Sequence, residues 1–405
     1  MAVLATLLLW LRPGTWLGPS DLASRSPAPT EVNVVVVTLD TLRADRLGCY
    51  GFDGVDTPHI DALAAEAVVF EQSTATVPLT FPSHSSIFTG LVPPRHGVRD
   101  NGGFFLEDEH TTLAERFEEA GYATGAFIGA WVLDSRWGLN QGFGHYADQF
   151  DLSEYKVLSL GTVQKPGDEV MDGALEWLDS VKDERFFAWV HLYDPHTPYE
   201  PPEPFASRYP GQAYLGEVAH TDHVVGRLLE WLRTAGVWER TVLVLTADHG
   251  ESLGEHGEST HAFFIYDSAV AVPLIVRTPW GDTGRSRIQT SGVDIMPTVL
   301  ELAGLEPEPA IDGRSLAPFV LDPSLREERV AYAESYFPRY HYGWQHLRAI
   351  RDGRHKRIDA PEPERYDVET DPGESRNLSS TLGPTAERLR RRLEELAGSE
   401  AEAAP

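Results

Sequence analysis

Cysteine, lysine and long apolar runs are all scarce in this chain of 405 residues. A single cysteine, Cys49, excludes an intramolecular disulfide and leaves the redox compartment open; between Gly48 and Tyr50 it reads as a small packed side chain. Lysine occurs only at 156, 165, 182 and 356, so catalytic lysine is scarce. Lys plus Arg total 34 against 62 Asp plus Glu, a formal charge of −28, which argues against nucleic acid or an anionic membrane surface as partner. No stable protein partner is expected. An acidic chain acting on an anion needs local positive charge, and bound divalent cations supply it. The apolar N-terminal stretch, Ala2 to Leu11, is about half the roughly twenty residues that a membrane span requires. With a polar, proline-containing segment behind it, it reads as the end of a signal peptide or anchor. The expectation is a periplasmic, extracellular or membrane-anchored protein, with the cytoplasm as the alternative.

What is present suits one large globular unit with a small appendage: 41% hydrophobic residues and ten tryptophans can fill a sizeable core. Strand-like runs (Val34–Leu39, Thr124–Ile128, Phe186–Leu192, Val242–Thr246, Leu274–Arg277) alternate with helical patterns (Ile60–Glu66, His84–Phe88, Thr112–Ala120, Val170–Val181, Tyr214–Ala235, Asp294–Leu302). That alternation predicts an α/β fold, a largely parallel sheet covered by helices on both faces. After Pro318, short strand-like pieces (Val330–Glu334, Leu347–Arg351, His355–Ile358) between Gly and Pro turns suggest a small antiparallel sheet, and Ala386–Ala397 reads as an amphipathic helix. The expected organisation is an N-terminal apolar segment and linker over 1–30, a catalytic domain over 31–320, a C-terminal subdomain over 321–380, and a helix and tail over 381–405.

Chemistry concentrates in Thr80-Phe81-Pro82-Ser83-His84, followed by Thr89-Gly90, His96-Gly97 and, twenty-one positions after Thr80, Asn101. A hydroxyl, imidazoles and a carboxamide around glycine turns suit a nucleophile attacking an anionic ester, with the amide holding the oxygen that gains charge. Asp40 follows the apolar run ending at Leu39, and Asp248-His249 follows the run ending at Thr246. A carboxylate emerging from a buried strand is costly unless compensated, and a metal ion compensates it. A helix N-cap is the bland alternative for Asp40, as is a turn role for Thr80.

With these motifs the chain resembles the alkaline phosphatase and sulfatase superfamily, from about Asn33 to Leu378. Thr57-Pro58-His59-Ile60-Asp61, His191-Leu192-Tyr193-Asp194-Pro195-His196, Gly254-Glu255-His256-Gly257 and Tyr366-Asp367-Val368-Glu369-Thr370-Asp371-Pro372-Gly373 extend the match in the same order. Within the superfamily it is similar to bacterial sulfatase-like proteins, whose C-terminal subdomain matches the change near 320. It departs from sulfatases in several places. Asp40-Thr41 replaces their two adjacent aspartates. Thr80 stands for the Cys or Ser that becomes formylglycine, and His84 for an arginine. Gly129-Ala130-Trp131-Val132-Leu133 lacks the lysine and histidine of their Gly-Lys-Trp-His-Leu element. At Thr80 the chain instead resembles the nucleotide pyrophosphatase/phosphodiesterases, which use a threonine nucleophile and place a phosphoryl-binding asparagine where Asn101 falls.

The resemblance implies Thr80 as nucleophile, Asn101 as donor to the transferred group, and Asp40, Thr80, Asp248 and His249 as ligands of one metal. For a second metal it points to Asp194, His196 and His261, with His191 as a substitute for Asp194, whose spacing to the histidine is shortened; His84 and His96 are expected to order loops. One or two zinc ions are implied, because imidazole favours zinc over calcium, with manganese or calcium as alternatives. The expected substrate is a small-molecule, glycan or lipid anionic ester. The expected function is metal-dependent cleavage of phosphate diesters, phosphonates or phosphate esters through a covalent threonine intermediate. The alternatives are a sulfatase, a phosphoryl-headgroup transferase and, outside enzymes, an idle binding module at the envelope surface.

Overall fold

In a computed structural model of the chain, residues 28–154, 161, 163–380 and 383–397 are described. The N-terminal apolar segment lies outside them, and among the described residues no helix is long and apolar enough to cross a membrane.

The valine run forms β1 (Asn33–Leu39), buried along its whole length. Its side chains divide by parity: Val35, Val37 and Leu39 enter one apolar core, Val34 and Val36 another on the opposite face. The flanking strands β5 (Phe186–Leu192) and β6 (Thr241–Ala247) divide the same way, with Phe187, Trp189, Val242 and Val244 on the second face. A continuous apolar run is what a strand covered on both faces requires. Helices Gly167–Val181 and Ala213–Thr234 close the first core through Met171, Leu178, Val225 and Leu228. Thr80–Thr89, Leu113–Glu119 and Ile295–Leu302 close the second through Phe88, Phe117 and Leu300.

The remaining strands are β2 (Val68–Thr74), β3 (Ala123–Ile128), β4 (His145–Ala147), β7 (Ala271–Arg277) and β8 (Gly284–Ser291), giving the eight-stranded order β4-β3-β5-β1-β6-β7-β2-β8. All neighbours are parallel except across β7, which runs antiparallel to β6 and β2. The expected α/β class is the class observed. β2, β4 and β8 escape the sequence patterns. β4 and β8 are the edge strands, and the first half of β8 alternates exposed arginine with buried serine: Arg285 and Arg287 both pair with Glu71 on β2, at 2.6 and 3.0 Å.

A second, antiparallel sheet has the order β12-β11-β10-β9, formed by β9 (Ala331–Ser335), β10 (Leu347–Arg351), β11 (His355–Asp359) and β12 (Glu364–Asp367). Ala333, Ala349 and Ile358 join the first core, while Tyr332 and Ile350 on the other face pack under Leu389 and Leu393 of the helix Pro384–Ala397.

β5, β1 and β6 are adjacent and parallel, so the residues leaving their carboxyl ends converge: Asp40 after β1, Asp248 and His249 after β6, and the 193–199 segment after β5. Open α/β sheets bind their ligands along this edge.

Candidate metal centre and nucleophile

Asp40, Asp248 and His249 are fully buried and offer ligand atoms within 4.8 Å of one another. Each has one atom engaged elsewhere and one without a partner. Asp248 Oδ1 accepts from the backbone N–H of His249 (2.8 Å) and of Thr41 (3.3 Å), leaving Oδ2 unpartnered. His249 donates Nδ1–H to the Gly250 carbonyl at 2.9 Å, which places its lone pair on Nε2, also unpartnered, 3.6 Å from both Asp40 Oδ1 and Asp248 Oδ2. Asp40 Oδ1 is the third orphan. Buried polar atoms normally find partners, and these three facing orphans, two of them carboxylate oxygens, are placed so that they could together hold a metal ion.

The charge arrangement agrees. Burial, and then the Asp248 and Glu251 carboxylates, push Asp40 well above the usual carboxylate range; burial likewise raises Asp248. Burial holds His249 and His191 neutral, well below the ordinary imidazole value. Two buried carboxyls facing neutral imidazoles thus have no positive partner at this spot that would keep both ionised.

Thr80 opens the helix Thr80–Thr89 and is 2% exposed. Its hydroxyl lies 3.4 Å from Asp40 Oδ2. The helix begins earlier than the expected His84–Phe88 because Pro82 falls in the first turn, where a missing N–H costs nothing. Asn101 accepts the Phe81 N–H on Oδ1 at 2.9 Å, which fixes its carboxamide next to Thr80 and turns the amide nitrogen the other way.

His84 is saturated. Trp189 Nε1–H donates to Thr38 Oγ1, which donates to His84 Nε2, both at 2.9 Å; His84 Nδ1–H then donates to the Thr80 carbonyl at 2.7 Å. Burial keeps this imidazole neutral. His84, His191 and Asp248 also present ligand atoms within 4.8 Å, but His84 has no lone pair to give. His191 Nδ1 accepts the Gly129 N–H at 3.3 Å, which puts its proton on Nε2, 3.5 Å from Asp40 Oδ2. His191 therefore faces Asp40 as a donor. His96 sits away from the centre, its Nε2 on Ser86 Oγ at 2.9 Å.

Of the residues expected at a second metal, two reach the site and one does not. The His261 ring lies 4.6 Å from His249 and 5.0 Å from His196. His261 Nδ1–H donates to the buried Glu251 at 3.0 Å; burial opposes its protonation, but the Glu251 bond and charge prevail and raise its pKa. His196 donates Nδ1–H to the Thr197 carbonyl and stacks on Tyr193. Asp194 is turned away: its Oδ2 accepts the Gly167 N–H at 3.1 Å, capping the start of the helix Gly167–Val181, so the structure does not place it as a ligand.

Two features went unread in the sequence. Glu251 is wholly buried, accepts from both His261 and Tyr199 (2.9 Å), and orders the imidazole side of the site; its only sequence signal was its place in Asp248-His249-Gly250-Glu251. Thr41 adopts φ 56°, unusual for a β-branched residue, with its buried hydroxyl unpartnered. That strained turn follows Asp40 directly and aims the Thr41 N–H at Asp248.

Comparison with known proteins now adds to the geometry. The family model described as Sulfatase matches residues 32–305, and one described as N-sulphoglucosamine sulphohydrolase, C-terminal, matches 254–399. An ulvan-active sulfatase from Formosa agariphila is 27% identical over 371 residues, spanning 80% of this chain and 72% of the relative. An N-acetylglucosamine-6-O-sulfatase from Bacteroides thetaiotaomicron is 25% identical, spanning 85% of this chain and 82% of that one. In fold, the phosphonate monoester hydrolase of Agrobacterium radiobacter superposes with a TM-score of 0.75 at 23% identity, covering 92% of this chain and 96% of that one.

Proposed function

Since the chain belongs to the sulfatase family, and so to the hydrolases of the alkaline phosphatase and sulfatase superfamily, we propose that it cleaves phosphate diesters or phosphonate and phosphate esters, with Thr80 as nucleophile. The observation that carries this reading is the Thr80 hydroxyl, at the first residue of a helix, 3.4 Å from Asp40 Oδ2 in a site with three orphaned donor atoms. Oxidation of a threonine side chain yields a ketone, so the formylglycine aldehyde of sulfatases cannot arise at this position. Ala130 and Val132, aligned with the lysine and histidine of the sulfatase element, are buried in the apolar core and offer a sulfate nothing.

Asp40, Asp248, His249 and the Thr80 oxygen would hold a divalent cation, zinc being favoured by the imidazole. When bound, such an ion supplies positive charge that lowers the pKa of the Thr80 hydroxyl and offsets charge on the transferred group. Thr80 Oγ1, its proton given up to solvent, attacks phosphorus; the new Oγ1–P bond forms as the bond to the leaving oxygen breaks, and that oxygen takes a proton from solvent. Asn101 donates to a nonbridging oxygen that gains charge, its amide fixed by the Phe81 N–H. The neutral Trp189–Thr38–His84 relay holds the Thr80 carbonyl, and so the direction of the nucleophile. His196 and His261 face the group being transferred or a second cation, with Glu251 fixing the His261 tautomer. Water then attacks phosphorus, the Oγ1–P bond breaks, and Thr80 recovers its proton. Asp194 serves as an anchor of the 193–199 segment.

A sulfate-ester reading is favoured by the sulfatase relatives. Matched aryl esters separate the two: with metal-replete enzyme, kcat/KM for a phosphodiester or phosphonate monoester should exceed that for the sulfate by at least roughly a hundredfold, about 2.7 kcal/mol of transition-state binding. Equal or faster sulfate cleavage would restore the sulfatase reading.

A further inference from the structure

Asn101 stands in a loop whose anchors the reaction does not use. The loop bends at Gly97 and Gly103, both at a left-handed φ (80° and 81°) and both with open space where a Cβ would stand, so conformation rather than crowding calls for glycine there. Between two such permissive ends, the path of the chain depends on what its side chains grip. Asn101 contributes its bond to the Phe81 N–H. The neighbouring grips come from the antiparallel sheet and the helix that follows β9.

Arg99 is buried, with Nε 3.6 Å from Glu334 Oε1 on β9 and its guanidinium 4.4 Å over the Tyr336 ring. Glu334 is held at both ends. Its Oε2 accepts from the Tyr332 hydroxyl at 2.6 Å, and its backbone N–H donates to the Thr76 carbonyl at 2.8 Å. Thr76 in turn donates its hydroxyl to Ser86 Oγ, 2.9 Å away on the helix that Thr80 opens. Glu334 therefore reaches the nucleophile's helix through its main chain and the Asn101 loop through its carboxylate. Asp100 adds a second grip, its Oδ2 lying 2.9 Å from Nε2 of His341 on the helix Phe337–Tyr342.

Resting on the reading of Thr80 and Asn101 given above, we propose that Arg99, paired with Glu334, is a positioning residue that sets where the Asn101 carboxamide stands relative to Thr80. A buried ion pair adds little to stability, because desolvating both charges offsets their attraction and apolar residues of similar volume pack as well. What this pair supplies is register between two segments that share no strand ladder. Register matters at a donor, since a misplacement of about 1 Å can lower a rate by roughly a hundredfold.

The test is a double-mutant cycle in the metal-loaded full chain. Arg99→Met with Glu334→Gln removes both charges together and keeps an acceptor for Tyr332. The double variant should lower kcat/KM tenfold or more for whichever ester, phosphate or sulfate, the protein cleaves. In an Asn101→Ala background the same two changes should lower it less than twofold, because the group they position is gone. Equal losses in both backgrounds would overturn the proposal and leave the pair a purely structural role. A second arm needs no turnover, so a failure of the proposed reaction does not reach it. Phe81 lies in the first turn of its helix, where an N–H has no carbonyl one turn earlier to bond, and Asn101 supplies its acceptor. In protein labelled with [15N]phenylalanine, exchange of the Phe81 amide should rise tenfold or more in the double variant and in Asn101→Ala, while Phe88 of the same helix stays at the wild-type rate. Wild-type protection of Phe81 in the double variant, or equal loss at Phe81 and Phe88, would overturn the proposal. Where the double variant does not fold, Arg99→Gln alone is read in the same way and the same outcomes decide.

Discussion

Replacing Asp248 by asparagine separates the two effects of a buried carboxylate at this centre. Without a cation, Asp40 and Asp248 present ligand oxygens within 4.8 Å, and two ionised groups at that distance repel by roughly 3 kcal/mol at an effective dielectric of about 20. Asparagine can keep the acceptor that holds the Thr41 and His249 N–H groups, and it turns an amide donor toward the orphaned Asp40 oxygen. The chelated variant should therefore be more stable than chelated wild type by up to about 3 kcal/mol. At roughly 2 cal/mol/K of unfolding entropy per residue, that is a rise of about 4 °C in Tm. The gap should widen with pH. An acid whose native pKa is raised destabilises the fold increasingly as pH climbs above its unfolded value, and both acids are raised. With metal the balance shifts: a cation at a hundred times its Kd adds about 2.7 kcal/mol to wild type, about 3 °C, whereas the variant, with a donor where a ligand belongs, should gain nothing. Scanning calorimetry at matched scan rates, in chelator and in added zinc, manganese or calcium, reads both effects, and elemental analysis gives the stoichiometry. An Asp248→Asn protein that keeps its metal and its metal-dependent Tm shift refutes the ligand assignment. A chelated variant less stable than chelated wild type refutes the charge argument.

Thr80→Ala should lower turnover by at least about a thousandfold while metal content and Tm stay near wild type; residual activity above roughly a tenth, a barrier change under about 1.4 kcal/mol, would exclude Thr80 as nucleophile. Acid lability should be traceable to His96, which burial pushes down to about 3 while its Nδ1 accepts the Val98 N–H at 3.2 Å. Because its native pKa is depressed, its contribution is present above about pH 6.5 and is lost at about 1.4 kcal/mol per pH unit as pH falls toward 3. His96→Gln in chelator should flatten the pH dependence of urea unfolding by about one proton; an unchanged slope would show that another group titrates.

What the sequence revealed depended on how local the physics was. The valine run before Asp40 announces a strand covered on both faces, since four β-branched residues in succession favour a strand and leave neither face polar, and the structure divides it between two cores. Edge strand β8 carries exposed arginines that serve Glu71 across the sheet, a pairing invisible along the chain. Thr80, Asp40, Asp248 and His249 were nameable as candidates because each sits at a strand or helix end, and the sheet order brings those ends together. Asp194 failed for a complementary reason. Its position beside His196 is sequential, but its side-chain direction is set by the Gly167 N–H, twenty-seven residues earlier. Glu251 reads as a surface acid until His261 and Tyr199 are seen to donate to it.

The lysine scarcity and the acidic excess then meet at one point. Among the described lysines, Lys356 is buried between Asp267 (2.9 Å) and Glu374 (3.0 Å), Lys182 pairs with Asp179 at 2.8 Å, and Lys165 donates to the Ala147 carbonyl. Arg43, the arginine that follows the Asp40 turn, is held by Asp45, Glu255 and the Glu251 carbonyl. These side chains are committed to the fold, and moving one to an incoming ester would leave a carboxylate or, for Lys165, a carbonyl without its partner. On the proposed reading, the positive charge that an anionic substrate needs therefore comes from a cation held by Asp40, Asp248 and His249. Asn101, uncharged and fixed by the Phe81 N–H, then adds a donor at the reacting end without competing for those carboxylates. An acidic protein can then bind an anion through the ion it holds rather than through its own cationic side chains.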